Sequence, residues 1–345
     1  MIKDLTLAKE TYVNDIYGQW RTGEKVSYEV LEKTKRVVVK DQANPFLTMF
    51  KLATDDEGKD VEIFVDSVKF TVRAYLPQNA NKGKTPVIIC MHPIMPKDFA
   101  LENGYALIFL DTSEIAEDNC FRKGCFYELY PYTDDPKTQT GELMAWGWGI
   151  SKVIDALYAG LDDELNIDKE KIVVTGVSRW GKATAVLGAF DNRIKVTMPT
   201  CSGAGGLALW NVLSEGKTYD LTEYGGPKEY TYEKNEPLSC LQSEAERGWF
   251  VDKFLSFAEY KDIPVEQYML PCLAVNPDRY YLIVAAVTKE DWVNAPAMKA
   301  CYEEAKEMLK SRGLEDHLQA HFHLEGHAVL EEDLKVLFEL MEQIQ

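Results

Sequence analysis

Residues 172–182 read Ile-Val-Val-Thr-Gly-Val-Ser-Arg-Trp-Gly-Lys. A short apolar run enters a glycine-flanked turn, and an alanine-rich segment, residues 182–190, follows. Such a turn lifts the hydroxyl of Ser178 clear of the backbone, where it can attack an acyl carbon. Two cations, Arg179 and Lys182, bracket the serine. Arg179 is placed to offer its backbone N–H, and its guanidinium, to the oxyanion that such an attack creates. Lys182 lies one helical turn further on, where it can meet hydroxyls or a carboxyl-derived group. The pair of cations suits an ester of an acidic substrate, because a plain acyl ester has no use for it.

The elements around the turn set its position. Residues 86–91 and 105–110 are continuous apolar runs, as expected of parallel strands covered on both faces, and residues 171–175, 194–199 and 280–287 read as further strands. Helical spacing separates them at 142–161, 182–190, 297–312 and 330–344, and residues 317–323 form the last strand. This alternation predicts right-handed crossovers and a mostly parallel sheet with helices on both faces, a three-layer sandwich. With a strand–serine–helix turn inside it, the layout is that of an α/β-hydrolase. The usual turn is Gly-x-Ser-x-Gly; here the second glycine comes one residue later, at Gly181, and Trp180 takes its place. We read residues 1–345 as a single domain. Residues 1–80 form a β-rich N-terminal segment, with strands at 36–40, 61–65 and 69–76. Residues 207–270, rich in Tyr, Gly and Glu, form an insertion of loops and short helices.

In this fold the triad runs Ser, acid, His along the chain. Five histidines are available: His92, His317, His321, His323 and His327. His317, His321 and His323 lie on or beside the last strand, which favours structural roles. His92 precedes the serine and breaks the order. His327 follows the last strand in Leu324-Glu-Gly-His-Ala-Val, where the base belongs. The acid should follow the strand at 280–287, where Glu290 and Asp291 stand together. Either can orient the imidazole and stabilise its charged form.

Composition narrows the partners. Net charge is −18 and the isoelectric point lies near 4.8. Nucleic acid and anionic membrane surfaces are therefore not expected, and an anionic substrate must be captured by local cations. No run of 18 apolar residues suggests a membrane span. The first residues carry no secretory h-region, so the expectation is a cytoplasmic protein, or an exported one if a leader precedes the chain. Seven cysteines, scattered and without Cys-x-x-Cys spacing, suit free thiols in a reduced compartment and no metal site. No cofactor is expected, and the chain is expected to act as a monomer.

Beyond the turn, several segments resemble the glucuronoyl esterases of carbohydrate esterase family 15. Gly176-Val-Ser-Arg-Trp-Gly-Lys182 is similar to that family's Gly-Cys/Val-Ser-Arg-x-Gly-Lys signature. Gly124-Cys-Phe-Tyr-Glu-Leu-Tyr130 and Ala145-Trp-Gly-Trp-Gly-Ile-Ser-Lys152 resemble two further stretches. So do Asp191-Asn-Arg-Ile194, Ser202-Gly-Ala-Gly-Gly206, Glu246-Arg-Gly-Trp-Phe250 and the Glu-x-Trp of residues 290–292. The resemblance covers roughly residues 85–340.

It implies metal-free hydrolysis of the ester that joins (4-O-methyl-)glucuronic acid on xylan to lignin alcohols. Ser178 would be the nucleophile, Arg179 the oxyanion residue and His327 the base. Lys182, Glu246 and Trp292 would bind the uronate ring and its hydroxyls. The family's binding glutamine has Gln242 as its nearest match, out of register. Many members carry their acid where this chain has Cys201; in the other family arrangement it stands two residues before the binding tryptophan, which selects Glu290. Where fungal members place a disulfide beside the nucleophile, this chain has Val177. The competing expectations are another carbohydrate or small-molecule esterase, such as an acetyl esterase, and a non-catalytic carbohydrate-binding descendant.

Overall fold

The computed structural model describes residues 2–32, 58–78, 83–91 and 95–344. Among them, seven strands come before a two-residue ribbon: β1 (Val26–Val30), β2 (Lys59–Val65), β3 (Val68–Tyr75), β4 (Thr85–Cys90), β5 (Ala106–Leu110), β6 (Ile167–Val177) and β7 (Val196–Thr200). The ribbon is β8 (Thr218–Tyr219) with β9 (Tyr230–Thr231), and β10 (Tyr280–Ala286) and β11 (Leu318–His323) follow it. All but the ribbon join one sheet in the order β1-β2-β3-β5-β4-β6-β7-β10-β11. Pairing is antiparallel from β1 to β5 and parallel from β5 across to β11.

Alternation of side chains explains the apolar runs. Neighbouring residues on a strand face opposite sides of the sheet. Val87, Ile88, Ile89 and Cys90 are nevertheless all fully buried, as are Leu282 to Ala285. Both faces must therefore be covered. Of the five longer helices, α1 (Leu5–Thr11), α2 (Glu142–Ala156), α3 (Arg179–Phe190), α4 (Ala295–Lys310) and α5 (Glu331–Gln343), α2, α3 and α4 pack directly on the strands. This is the α/β-hydrolase architecture. From β4 the chain moves outward to β5, then returns to β6 on the other side, so strand order reverses between β4 and β6. The C-terminal edge at such a reversal opens a crevice for ligands.

The N-terminal segment differs from its β-rich expectation. It opens on α1, capped by Asp4 Oδ1, which accepts from the Leu7 N–H at 2.8 Å, and continues in a π-helical turn, Tyr12–Ile16. Tertiary contacts override the β-branched composition here. Tyr12 and Ile16 are fully buried, Tyr12 donates to the Glu266 carbonyl at 2.7 Å, and the Val251 N–H donates to the Ile16 carbonyl at 2.9 Å. The helix is thus completed by residues from the far end of the chain, Tyr12 and Glu266 being 254 positions apart. The expected strand at 36–40 lies outside the described residues; the expected hairpin is β2 and β3.

Candidate active site

Ser178 follows the last residue of β6 with φ 61° and ψ −125°, a conformation that costs an L-residue about 1–3 kcal/mol. The surroundings enforce it. Its N–H donates to the Thr200 carbonyl at 3.0 Å, and its carbonyl accepts from the Lys182 N–H at 2.9 Å, starting α3. The two glycines of the turn answer to close backbone approach. A Cβ at Gly176 would stand 2.7 Å from the Trp180 carbonyl oxygen, and one at Gly181 would stand 2.4 Å from that of Thr200. The displaced second glycine therefore keeps a steric purpose, against β7. Trp180 itself turns away and donates from its indole to Thr112 Oγ1 at 2.9 Å.

The strand ends beside the serine carry the other groups. The Cys201 N–H donates to the Val284 carbonyl, the Val287 N–H to the His323 carbonyl and the Thr288 N–H to the Leu324 carbonyl. The tips of β6, β7, β10 and β11 thus line up on one rim, with Ser178, Cys201, Glu290 and His327 on or just beyond them.

His327 Nδ1 lies 3.3 Å from Glu290 Oε2. This is ion-pair distance, yet the alignment falls outside hydrogen-bond geometry and leaves Nδ1 unpaired. Hydrogen bonds between catalytic groups are often long or poorly aligned until substrate is bound. Burial, then the charges of Lys182 and Arg179, depress the His327 imidazole to about 4. It is a neutral base throughout the physiological range. Burial raises the Glu290 carboxyl, with the Trp292 indole partly offsetting this. Trp292 also packs on His327, ring centroids 4.9 Å apart.

Asp291 is committed elsewhere: its two oxygens accept from the Tyr230 hydroxyl and the Glu233 N–H, each at 2.7 Å. It anchors the β8–β9 ribbon. Cys201 is fully buried, and burial pushes its thiol up to about 12, so it carries no charge to give an imidazole.

The other histidines are held structurally. His317 stacks on Tyr280 at 4.2 Å, and His321 Nδ1 lies 2.7 Å from Asp333 Oδ1. His323 is buried beside them. His92 lies outside the described residues.

Arg179 binds Asp118, Nη1 to Oδ2 at 2.5 Å, and its guanidinium lies 5.1 Å from the Trp249 ring centroid. Lys182 is 2 % exposed and has spent all three ammonium protons. They go to the Ser202 carbonyl at 2.9 Å, the Ala204 carbonyl at 2.6 Å and Glu236 Oε2 at 3.1 Å. Lys182 therefore has no free N–H to offer, contrary to what its spacing suggests, and acts on its surroundings through its field and through Glu236.

Glu246 Oε2 is buried without a partner; burial and the nearby Glu236 charge raise its carboxyl to about 7. At neutral pH it can accept from or donate to a hydroxyl.

The expectation for Gln242 needs correction. Its amide donates to the carbonyls of Phe254 at 3.1 Å and Phe257 at 2.8 Å, fastening its own loop. The polar group beside Lys182 is instead Glu236, whose N–H donates to the Trp292 carbonyl at 3.3 Å. Glu236, Asp118 and Trp249 were not singled out by sequence reasoning; only Trp249 lies within a recognised motif. Among the described residues, no group of three or more His, Cys, Asp or Glu is arranged to hold a metal ion. No helix there is long and apolar enough to cross a membrane. Cys120, Cys125, Cys201, Cys240, Cys272 and Cys301 are free thiols.

Comparison with known proteins gives this geometry its context. The family model described as glucuronyl esterase, fungi, matches residues 61–313. A multidomain esterase of Ruminococcus flavefaciens is 41% identical over 329 residues, which is 93% of this chain and 40% of that protein. A 4-O-methyl-glucuronoyl methylesterase of Hypocrea jecorina is 32% identical over 73% of this chain and 50% of its own length. The chain thus spans about half or less of these relatives. Among solved structures, the carbohydrate esterase family 15 glucuronoyl esterase of Caldicellulosiruptor kristjansonii superposes with a TM-score of 0.81 at 27% identity, covering 99% of this chain and 85% of that one. The chain belongs to the glucuronoyl esterase family, carbohydrate esterase family 15.

Proposed function

We propose that this chain is a serine esterase that hydrolyses esters of (4-O-methyl-)glucuronic acid, such as those between xylan side chains and lignin alcohols. One observation carries the reading: Ser178, strained on its turn, shares a strand-end rim with a neutral His327 backed by Glu290, beside a pocket of buried charge. Ser178 Oγ attacks the ester carbonyl carbon and His327 takes its proton. Glu290 then steadies the imidazolium. The Arg179 N–H and guanidinium receive the oxyanion. Collapse expels the alcohol, protonated by His327, and leaves a glucuronoyl ester on Ser178. Water repeats the sequence and frees the acid. Trp292 offers a ring face, and Glu236 and Glu246 offer carboxyl oxygens to sugar hydroxyls.

The test compares initial rates on benzyl glucuronate and on p-nitrophenyl acetate, for wild type and Ser178→Ala. Wild type should prefer the glucuronate ester in kcat/KM, and Ser178→Ala should lose at least about a thousandfold on it while staying folded. A variant that keeps a tenth of the wild-type rate, or a wild type that prefers the acetate, contradicts the proposal.

A further inference from the structure

A cationic side chain beside a nucleophile helps only if it is held in place. Arg179 is 38 % exposed, and its long stem would otherwise sample solvent-facing rotamers. A single carboxylate prevents this. Asp118 Oδ2 takes Nη1 of Arg179 at 2.5 Å, and Oδ1 takes the Trp249 indole N–H at 2.8 Å. The indole in turn lies along the guanidinium, 5.1 Å from its centre, and along Lys182 at 5.6 Å. Asp118 thus ties the edge of the ring to the cation that the ring also faces. Among the described residues, Nη1 is the only guanidinium atom with a hydrogen bond, so the remaining N–H groups stay available.

The loop that carries Asp118 is built for rigidity. Cys120 and Arg122 sit at φ 60° and 55°, in the left-handed region that ordinary residues avoid. Strain of this kind persists only where the surroundings over-determine it, and they do so here. The Cys120 N–H donates to Glu142 Oε1 at 3.1 Å, and Glu142 is fully buried on α2. Arg122 reaches across to the carbonyls of Gly248 and of Phe250, the latter at 2.8 Å. The same side chain therefore locks the Asp118 loop to the segment that carries Trp249.

We propose that Asp118 is a positioning residue, which holds the Arg179 guanidinium against Trp249 in the orientation that receives the oxyanion. The inference rests on the oxyanion role given to Arg179 above. Asp118 acts through Arg179 and touches no reacting atom. Its effect should fall on turnover and be the same for every ester, because the oxyanion is common to all of them. A residue of the uronate pocket would instead affect KM for glucuronate esters alone.

The experiment is a double-mutant cycle of Asp118→Ala and Arg179→Ala in the whole chain, read as kcat and KM on benzyl glucuronate and p-nitrophenyl acetate. Asp118→Ala should lower kcat about 10- to 100-fold on both esters, with KM within about threefold, as loss of one oriented donor does. In the Arg179→Ala background the same change should cost less than about twofold. Should Asp118→Ala fail to fold by thermal melting, the isosteric Asp118→Asn carries the cycle, with an expected loss of about 3- to 30-fold. An undiminished Asp118 effect without Arg179, or an effect confined to KM, overturns the positioning role alone. Wild-type turnover in Arg179→Ala overturns the oxyanion reading beneath it.

Discussion

Replacing Lys182 by Met separates a binding lysine from a structural one. The ammonium is 2 % exposed, and its three protons satisfy two buried carbonyls and the Glu236 carboxylate. Methionine fills a similar volume but leaves Glu236 charged, buried and unpaired. Breaking a buried pair from one side costs about 3–5 kcal/mol. For 345 residues the unfolding entropy is about 0.7 kcal/mol per kelvin, so the melting temperature should fall by roughly 4–7 °C. Glu236→Gln in the same chain removes the orphaned charge while keeping the shape, and should return about half or more of that loss. Calorimetry on the wild type, both single variants and the double variant gives the complete cycle. A surface-like lysine would give a fall below about 1 °C. That result, or a double variant less stable than Lys182→Met, refutes the reasoning. Activity supplies a second readout: KM for benzyl glucuronate should rise in Lys182→Met far more than KM for p-nitrophenyl acetate.

Because burial and two nearby cations hold His327 near 4, kcat/KM on a glucuronate ester should stay flat across neutrality and fall as pH drops through about 4 to 5. The neutral imidazole is the active form, so protonation removes activity. An acid limb near the ordinary histidine value of about 6.5 contradicts the burial argument. Lys182→Met, which removes one of those cations, should move the acid limb upward. Glu290→Gln should lower kcat by about two to four decades. Asp291→Asn should lower it less than about tenfold and act mainly on the melting temperature, because Asp291 holds Tyr230 and Glu233. The reverse ranking of these two variants would place the acid at Asp291.

Legibility in the sequence followed the range of the interactions. The turn at Ser178 was readable because its causes are local: an apolar strand, two glycines where a Cβ would strike a carbonyl, and a helix behind. The parallel strands were readable because burial on both faces leaves continuous apolar runs. Glu236 was not readable: it meets Lys182 across 54 residues, with no pattern around it to mark a carboxylate for burial. Asp118 meets Arg179 across 61 residues, from a loop whose left-handed residues leave no trace in composition. Gln242 misled because nearness to a family position, out of register, says nothing of where its amide is committed, and here the amide fastens its own loop. The first helix was missed for a similar reason, since the groups that bury Tyr12 and Ile16 arrive from the far end of the chain.

Two neighbouring strand ends approach His327, the proposed base, and one of them carries a carboxylate. Cys201 and Glu290 follow β7 and β10, which pair directly, and both approach the loop that carries His327. Cys201 Sγ stands 4.0 Å from the Gly326 carbonyl, while Glu290 stands 3.3 Å from the imidazole. The Cys201 backbone still holds φ 48°, a strained setting that presents a side chain at the rim. A thiol in that setting cannot serve as a carboxylate does. Burial keeps it protonated far above neutral pH, and a neutral S–H neither orients nor stabilises an imidazolium. A carboxylate at both positions would bring two like charges to one buried imidazole, which raises the proton affinity of the whole group and slows release of the proton to the leaving alcohol. Burial and the charges of Lys182 and Arg179 leave His327 weakly basic and neutral at rest. In the proposed mechanism the ion pair with Glu290 forms when the proton of Ser178 arrives, so its stabilisation falls on the transition state and not on the resting protein.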